Sequence, residues 1–203
     1  CALDIFPKLD YPVLDLSILP SIVLCGSVDE NIRVILSGDG ADEVFAGYQR
    51  IYDTFWRYIF VSLIPEFIKK IIINYLPENS KLTKYLLVKH PIEMREILLG
   101  INRKYPATYR NFQFSLRSIF KTIIKYEIDH YLPSVLEKVD AASMLSSLEV
   151  RVPFLSNNII NYMNKVSISN LIWQRSPKYH LKKLLSLNTS FKYAFIKKKG
   201  FSF

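Results

Sequence analysis

A β-branched run that ends in glycines is the clearest local pattern in the chain. Residues 33–36 predict a short buried strand, because Val34 and Ile35 favour extended backbone. Gly38 and Gly40 follow at once and indicate a tight turn. Apolar residues then recur at the spacing of one helical face, at Val44, Phe45, Tyr48 and Ile51. The pattern therefore predicts a strand, a turn and a helix over residues 41–52.

Helical patterns dominate the rest of the first half of the chain. Residues 17–31 predict a helix with Ser17 as its N-cap, leading into the strand. The helix that opens at Ala41 is expected to continue to Ile64. Its aromatic side chains favour a core stripe over a stacking surface. They are Phe45, Tyr48, Tyr52, Phe55, Trp56 and Tyr58.

Prolines divide the next segment into shorter helices, at Pro65, Pro77, Pro91 and Pro106. Residues 104–129 predict one long amphipathic helix. Its inward face carries Tyr109, Phe112, Leu116, Phe120 and Ile123. Residues 53–130 are therefore expected to form a helical layer without chemistry. The predicted fold class is α/β, mostly helical, with a partial parallel sheet.

Composition narrows the function classes. The chain has 203 residues, which favours one globular domain, and half of them are apolar. No run reaches the ~18 uninterrupted apolar residues that a membrane helix needs, and no secretory leader is recognisable. The two cysteines, Cys1 and Cys25, fit neither a disulfide scaffold nor a metal cluster. These features predict a cytoplasmic protein without a membrane partner.

The net charge of +9 raises the question of nucleic-acid binding. The lysines are spread along the chain, and no recognition motif with interleaved aromatic residues accompanies them. We therefore expect no nucleic-acid partner. A site for a polyphosphate, which also requires cations, accounts for part of the excess charge.

The predicted turn has the parts of a nucleotide site. It lies at the carboxyl end of a strand, where open α/β sheets bind ligands, and its glycines allow close approach of the backbone. Amides at the following helix N-terminus favour a phosphate. Asp39, Asp42 and Glu43 would repel a bare anion, so a bridging Mg²⁺ is expected. The alternative is that Asp39 and Asp42 only cap the helix.

Five segments together resemble the asparagine synthetase family, in its synthetase domain of the ATP pyrophosphatase type. Residues 37–50, SGDGADEVFAGYQR, resemble the family's SGDG(A/S)DE(L/V)FGGY segment, and residues 136–155, LEKVDAASMLSSLEVRVPFL, resemble KVDRxSMAxSLEVRVPFLD. Residues 15–20 are similar to the family's DxSxxP segment and residues 178–183 to its KxxLR helix. Residues 198–201 are similar to its closing KxGF. The segments follow the family's order.

The resemblance implies a fold, a reaction and a set of residues. The fold is a partial sheet of the adenine nucleotide α-hydrolase type. The reaction activates the side-chain carboxylate of aspartate with MgATP as β-aspartyl-AMP, and ammonia from glutamine then gives asparagine. Ser37, Gly38 and Gly40 would bind ATP, and Asp42 would face Mg²⁺ and pyrophosphate. Asp39 and Lys198 would be catalytic, and Glu43, Asp140, Glu149 and Arg151 would support the site.

The second segment also carries an interpretation from its residues alone. Asp140, Glu149 and Arg151 stand among apolar positions, so some of these charges are expected near the core, where a charge must be paired. A Glu149–Arg151 or Asp140–Arg151 pair is the structural interpretation. The functional one is that the network supports the acidic turn or lines the amino-acid pocket.

Departures from the family pattern limit the prediction. Nothing in residues 1–15 resembles the family's pyrophosphate loop, SGGLDS, and no glutaminase domain precedes it. The chain begins with Cys and stops two residues after Phe201. We therefore predict that residues 1–203 are a partial synthetase domain, inactive alone, whose parent carries a glutaminase domain. Ala141 and Ser156 replace a family Arg and Asp.

Three functions stay open at this stage. Asparagine synthesis is the first. A related adenylating enzyme that forms an intramolecular amide, of the β-lactam synthetase or lasso-peptide cyclase type, is the second. A non-catalytic binding or structural module is the third. A homodimer is also left open.

Overall fold

Two short strands, β1 (Val34–Leu36) and β2 (Glu149–Arg151), pair in parallel with Ile35 opposite Val150. The structure is a computed structural model that describes residues 15–101, 105–109, 112–172 and 177–189. Within these residues most of the chain is helical and these two strands form the sheet. The predicted α/β class with a small parallel sheet is confirmed.

The chain forms two compact units, which are described separately. The first unit takes its described residues from 1–45, 129–165 and 178–203. It contains β1, β2 and the helices α1 (Ile18–Gly26), α2 (Ala41–Val44), α8 (Leu132–Met144), α9 (Asn157–Lys165) and α11 (Tyr179–Asn188). Helix α1 packs on α8, and α8 contacts β2.

The strand prediction is right in place and wrong in burial. Strand β1 spans 34–36 against the predicted 33–36, but Val34 is 45% and Leu36 75% exposed. Val34 and Leu36 lie on the same face of β1, and in the described part of the chain this face is left exposed. A β-branched run encodes extended backbone but does not encode what covers it.

Helix α1 is shorter than the predicted helix over residues 17–31, since it ends at Gly26. Ser17 occupies the N-cap position, as predicted, but its side chain accepts no capping hydrogen bond from the helix. Instead its backbone amide donates to Asp15 Oδ1 at 2.9 Å.

The second unit takes its described residues from 46–128 and 166–177. It is a helical layer of α3 (Gln49–Ser62), α4 (Glu66–Asn74), α5 (Lys81–Leu86), α6 (Pro91–Leu99), α7 (Leu116–Tyr126) and α10 (Ile168–Ile172). Helices α3, α6 and α7 pack on one another. Phe55 and Phe120 meet edge to face with ring centroids 5.4 Å apart, and both are fully buried.

The aromatic stripe of α3 is largely core, as predicted, but the continuous helix over residues 41–64 is wrong. Helix α2 ends at Val44 and α3 begins at Gln49. Between them Ala46 adopts a φ of 50°, a left-handed conformation that no α-helix contains. The apolar positions 44, 45, 48 and 51 therefore belong to two helices and the link between them, rather than to one face of a single helix. Tyr52, Phe55 and Tyr58 are buried.

The proline prediction is confirmed for the helices that follow. Pro65 is the N-cap of α4 and Pro91 is the first residue of α6, where a missing amide costs no helical hydrogen bond. Pro77 lies between α4 and α5, and Pro106 precedes a 3₁₀ turn, Ala107–Tyr109.

The single helix predicted over residues 104–129 is wrong. Lys104 lies outside the described residues, and α7 begins only at Leu116. Ser115 sets this start, because its side chain accepts the Ser118 amide at 3.1 Å. Of the predicted inward residues, Tyr109, Phe120 and Ile123 are buried, Phe112 is half-buried and Leu116 is exposed.

A charged cluster lies inside this layer, where the sequence suggested no charged interaction. Glu127 opens a π-helical turn, Glu127–Tyr131, and its side chain is fully buried. Arg95 donates to both of its oxygens, at 2.7 and 3.1 Å, and Arg50 does so at 3.1 and 2.9 Å. Arg95 also contacts Glu96 at 2.7 Å. The two arginines and two glutamates sum to zero charge, which makes their burial tolerable.

Burial alone would raise the pKa of Glu127. The hydrogen bonds from Arg95 and Arg50 and their charges outweigh burial, so the pKa lies below its ordinary value of 4.5. For Arg95, burial favours the neutral form, but the contacts with Glu127 and Glu96 raise its pKa. Glu127 and Arg95 are therefore both ionised at neutral pH.

Helix α8 ends in a Schellman motif. The Leu148 amide donates to the Ser143 carbonyl at 3.1 Å, and the Ser147 amide donates to the Met144 carbonyl at 3.0 Å. Ser147, exposed, stands in the left-handed position with a φ of 52°. Glycine is the residue that this position favours.

We expect Ser147→Gly to raise the free energy of unfolding by about 1 kcal/mol, because it removes the left-handed strain of a residue with a Cβ. Urea unfolding of the chain measures the change. The matched control is Ser146→Gly, one residue earlier, where φ is not positive. It adds only glycine's entropy cost, so an equal gain from both variants would contradict the explanation.

We expect Glu127→Gln to lower the free energy of unfolding by about 3 kcal/mol at neutral pH, since it leaves buried guanidinium charge uncompensated. The pKa of Glu127 is depressed in the folded state. The stabilising effect of the Glu127 carboxylate is therefore fully present above pH 4.5, and it disappears as the pH falls through the folded-state pKa. Urea unfolding at several pH values should therefore show the difference from the parent shrinking below pH 4.5. The exposed Glu78→Gln serves as control, and a loss independent of pH would exclude the linkage.

Candidate functional site

The acidic turn is attached to the sheet through its first residue. The Ser37 amide donates to the Arg151 carbonyl at 2.9 Å, directly beyond the last residue of β1. The turn therefore begins where the strand pairing ends, at the carboxyl end of β1. This is the position predicted for it.

Gly40 is the residue on which the shape of the turn depends. It is the N-cap of α2 with a φ of 82°, a conformation open to glycine. A Cβ there would lie 2.4 Å from Leu155 Cδ2. Leu155 ends a 3₁₀ turn, Pro153–Leu155, that follows β2. The two longest motif segments thus meet in van der Waals contact beneath the turn.

Ser37 and Asp39 form a local pair in the turn. The Ser37 hydroxyl donates a short hydrogen bond to Asp39 Oδ2, and the Asp39 amide points back to Ser37 Oγ at 3.3 Å. Both residues are half-buried. The carboxylate of Asp39 is therefore held in one orientation by its own turn and keeps a second oxygen for other contacts.

Asp42 contacts a cation from the far end of the sequence. Its Oδ1 lies 2.9 Å from Lys178 Nζ, and the two side chains are 17% and 27% exposed, respectively. Glu43 beside it is 1% exposed. The turn therefore places its three carboxylates in different environments.

Two expectations about the helix after the turn are corrected. Helix α2 has four residues, so its macrodipole adds little for a phosphate. The capping interpretation is corrected as to position, because Gly40 rather than Asp39 or Asp42 is the N-cap residue. Asp42 and Glu43 lie in the first turn of the helix.

The DxSxxP and KVD segments also meet. Lys138 on α8 donates to Ser17 Oγ at 2.9 Å and lies 3.3 Å from Asp15 Oδ2. Burial would raise the pKa of Asp15, but hydrogen bonds from Ser17 and the charge of Lys138 hold it below its ordinary value. This contact ties the start of α1 to α8.

The charges of the second segment do not lie near the core. Asp140 is exposed, and Glu149 and Arg151 are 58% and 64% exposed in their side chains. Glu149 and Arg151 do pair, at 2.9 Å, whereas Asp140 does not pair with Arg151 in the described structure. Successive side chains of β2 point to opposite faces of the sheet. Glu149 and Arg151 therefore share the outward face, and Val150 points to the other face. The segment supports the turn through the Arg151 carbonyl and Leu155 rather than through charge.

Of the predicted site residues, Lys198 lies outside the described residues. Six others lie together in the turn and at the start of α2. They are Ser37, Gly38, Asp39, Gly40, Asp42 and Glu43. Lys178 was not predicted as a site residue, although it begins the segment that resembles the KxxLR helix. A signal for it was present in the sequence: three carboxylates stand close together without a cation among them, which calls for a cation from elsewhere in the chain.

No cluster of three His, Cys, Asp or Glu side chains has the arrangement of a metal centre in the part of the chain that the structure describes. The acidic turn fits Mg²⁺ only in the way that nucleotide enzymes bind this ion. There, one or two protein carboxylates hold the ion, and phosphates and water supply the remaining ligands. Asp42, at the carboxyl end of the strand and half-buried, is a carboxylate of that kind. Among the same residues no helix is long and apolar enough to cross a membrane.

The fold and the turn define a mostly helical α/β protein with an acidic glycine turn at the end of a parallel strand. The sequence model of the Asparagine synthase family matches residues 2–202. The chain therefore belongs to the Asparagine synthase family.

Individual relatives agree with this assignment. Asparagine synthetase (glutamine-hydrolyzing) 1 of Bacillus subtilis is 25% identical over 198 residues, which cover 86% of this chain and 31% of the relative. Putative asparagine synthetases (glutamine-hydrolyzing) of Mycobacterium bovis and Mycobacterium tuberculosis are 25% identical over 201 residues, 87% of this chain and 30% of theirs. The chain thus spans about a third of the length of the curated relatives it matches. No solved structure matches the chain.

We expect Gly40→Ala to lower the free energy of unfolding by about 2 kcal/mol or more, because the added Cβ meets both left-handed strain and Leu155. Gly38→Ala is the matched control: nothing lies within 4 Å of its Cβ and its φ is not positive, so it should change stability by under about 0.5 kcal/mol.

A double-mutant cycle with Leu155→Ala separates the two parts of that cost. Removing the leucine side chain should relieve the clash and leave the strain, so Gly40→Ala should cost less in the Leu155→Ala background. Equal costs in both backgrounds would show that the contact beneath the turn is unimportant.

Proposed function

We propose that the full-length protein makes asparagine in an ATP-dependent amide-forming reaction. The observation that carries the proposal is the turn itself, in a chain of the Asparagine synthase family. An oriented Asp39 and a lysine-paired Asp42 stand together at the carboxyl end of a parallel strand. The names of the relatives, glutamine-hydrolyzing asparagine synthetases, support asparagine as the product and glutamine as a reactant.

The reaction has two chemical steps. An oxygen of the aspartate side-chain carboxylate attacks the α-phosphorus of ATP, and the bond to pyrophosphate breaks to give β-aspartyl-AMP. Ammonia then attacks the acyl carbon, and AMP leaves with the electrons of the carbon–oxygen bond. The first step brings two anions together, so cationic groups must offset their repulsion. Mg²⁺, when bound, supplies charge neutralisation for the departing pyrophosphate.

Asp39 is assigned to the second step. Ammonia that has attacked the acyl carbon carries a positive nitrogen and becomes acidic only then. A carboxylate with one oxygen fixed by the Ser37 hydroxyl and the other available is suited to orient the amine and accept its proton. Gly38 contributes backbone that a ligand can approach closely, since it is exposed and carries no side chain. Ser37 and Gly40 are proposed to complete the ATP-binding turn around it.

Asp42 is assigned to the phosphate side with Mg²⁺, and Lys178 adds a cation next to it. Lys198 is proposed as a second phosphate-side lysine. Glu43, Asp140, Glu149 and Arg151 are proposed to act only as supporting residues.

The wider architecture follows from the same proposal. The two-stranded sheet would be part of a larger sheet of the ATP pyrophosphatase type, and residues 1–203 would be one partial synthetase domain. A glutaminase domain in the full-length protein would deliver ammonia, and the protein would work in the cytoplasm. Alone, the chain should not catalyse the reaction.

ATP–pyrophosphate exchange tests the reaction directly. The full-length protein should exchange labelled pyrophosphate into ATP when aspartate is present, and the 203-residue chain should not. Exchange that needs a different carboxylate substrate would instead indicate an enzyme that forms an intramolecular amide. No exchange with any carboxylate would indicate a non-catalytic module.

We expect Asp39→Asn in the full-length protein to lower the rate of asparagine formation by about 10²-fold or more, because the amide cannot accept the proton. Exchange with aspartate should fall much less, since adenylation precedes the attack by ammonia. Asp53→Asn, an exposed acid on α3, is the matched control and should leave both rates unchanged. Undiminished asparagine formation in Asp39→Asn would refute the assigned role.

A further inference from the structure

The ion pair of Asp42 and Lys178 is an unusual contact for a predicted metal ligand. It joins residues 136 positions apart in the sequence, within the first unit, with Nζ 2.9 Å from Oδ1. Both side chains are more than two-thirds buried, so solvent screens the pair less than it would a surface pair. The ammonium therefore occupies the carboxylate that the proposed function gives to Mg²⁺.

Lys178 is held at this place against two local preferences. Its backbone is left-handed, with a φ of 58° and a ψ of 31°, a conformation that is strained for a residue with a Cβ. It is also the N-cap of α11, where the helix dipole disfavours a cation. Strain of this kind persists where surrounding contacts impose it, and it gathers at ligand sites.

Charge explains why the lysine stays. Asp39, Asp42 and Glu43 place three carboxylates within five residues, and Lys178 is a cation in direct contact with one of them, Asp42. A magnesium ion binds carboxylate oxygen at about 2.0–2.1 Å. An ammonium at 2.9 Å from the same oxygen competes with it for the same negative charge and the same space.

We propose that Lys178 and Mg²⁺ compete for Asp42, so that arrival of the metal with the nucleotide transfers the ammonium of Lys178 from the carboxylate to a phosphate oxygen. The proposal rests on the proposed function, since it takes Mg²⁺ to bind at Asp42. Lys178 is then a stand-in cation that keeps the acidic turn folded before substrate binds. The flexible four-carbon stem and rotating donors of lysine suit a change of partner, which a fixed guanidinium fork suits less.

Metal alone tests the competition without any nucleotide. In the full-length protein, Lys178→Gln removes the competing charge, so Mn²⁺, used as the probe for Mg²⁺, should bind about threefold tighter or better in electron paramagnetic resonance titrations. Asp42→Asn should abolish the gain, which assigns it to this carboxylate. An unchanged or weaker Mn²⁺ affinity in Lys178→Gln would overturn the proposal.

Nucleotide binding should move in the opposite direction. With Mg²⁺ present, a non-hydrolysable ATP analogue should bind Lys178→Gln about tenfold more weakly, because a charge-assisted hydrogen bond to phosphate is lost. Lys178→Arg should retain part of this affinity. A merely structural ion pair would weaken both metal and nucleotide binding, so the opposed shifts are the distinguishing result.

Two further measurements keep the interpretation clear. Lys183→Gln, an exposed lysine on the same helix, should leave both affinities unchanged. Circular dichroism of each variant establishes that it folds. If the parent protein binds Mn²⁺ but no ATP analogue, the proposed function fails while the competition for Asp42 is still measurable. If the parent binds both and Lys178→Gln shows no opposed shifts, the competition alone fails.

Discussion

The parallel pairing of β1 with β2, extended by the hydrogen bond from the Ser37 amide to the Arg151 carbonyl, is the constraint on which the candidate site depends. It fixes where the strand stops and the turn begins. Parallel strands need a long crossover between them, and here that crossover includes residues 46–128 of the helical second unit. The position of a few carboxylates is therefore set by residues more than a hundred positions later in the chain.

Each part of the turn then follows from a different physical cause. Gly40 takes a conformation open to glycine, and Leu155 fills the space a side chain would need. Ser37 orients one acid by a hydrogen bond, and Lys178 neutralises another across the sequence. In the second unit, Arg50, Arg95, Glu96 and Glu127 form a partly to fully buried cluster. Its two positive and two negative charges cancel, so it stabilises the helical layer and takes no part in the turn.

Local patterns predicted the strand, the glycine turn and the helix starts at Pro65 and Pro91, because these depend on backbone preferences that neighbouring residues carry. They failed where tertiary contacts decide. The left-handed Ala46 interrupts an apparently continuous helix, and the Ser115 cap starts α7 late. The residues of the turn were predictable from one segment. Lys178 as their partner, and the exposure of Glu149 and Arg151, depend on pairing across the fold.

The three acids of the turn cannot perform the same task, because their surroundings differ. Glu43 is buried, which favours a structural role, whereas Asp39 is half-buried and tied to a hydroxyl. Asp42 is paired with the ammonium of Lys178. A carboxylate already paired with a lysine is a poor proton acceptor but a ready ligand once a stronger cation replaces the lysine. The proposed division, with proton transfer at Asp39 and cation exchange at Asp42, rests on these contacts.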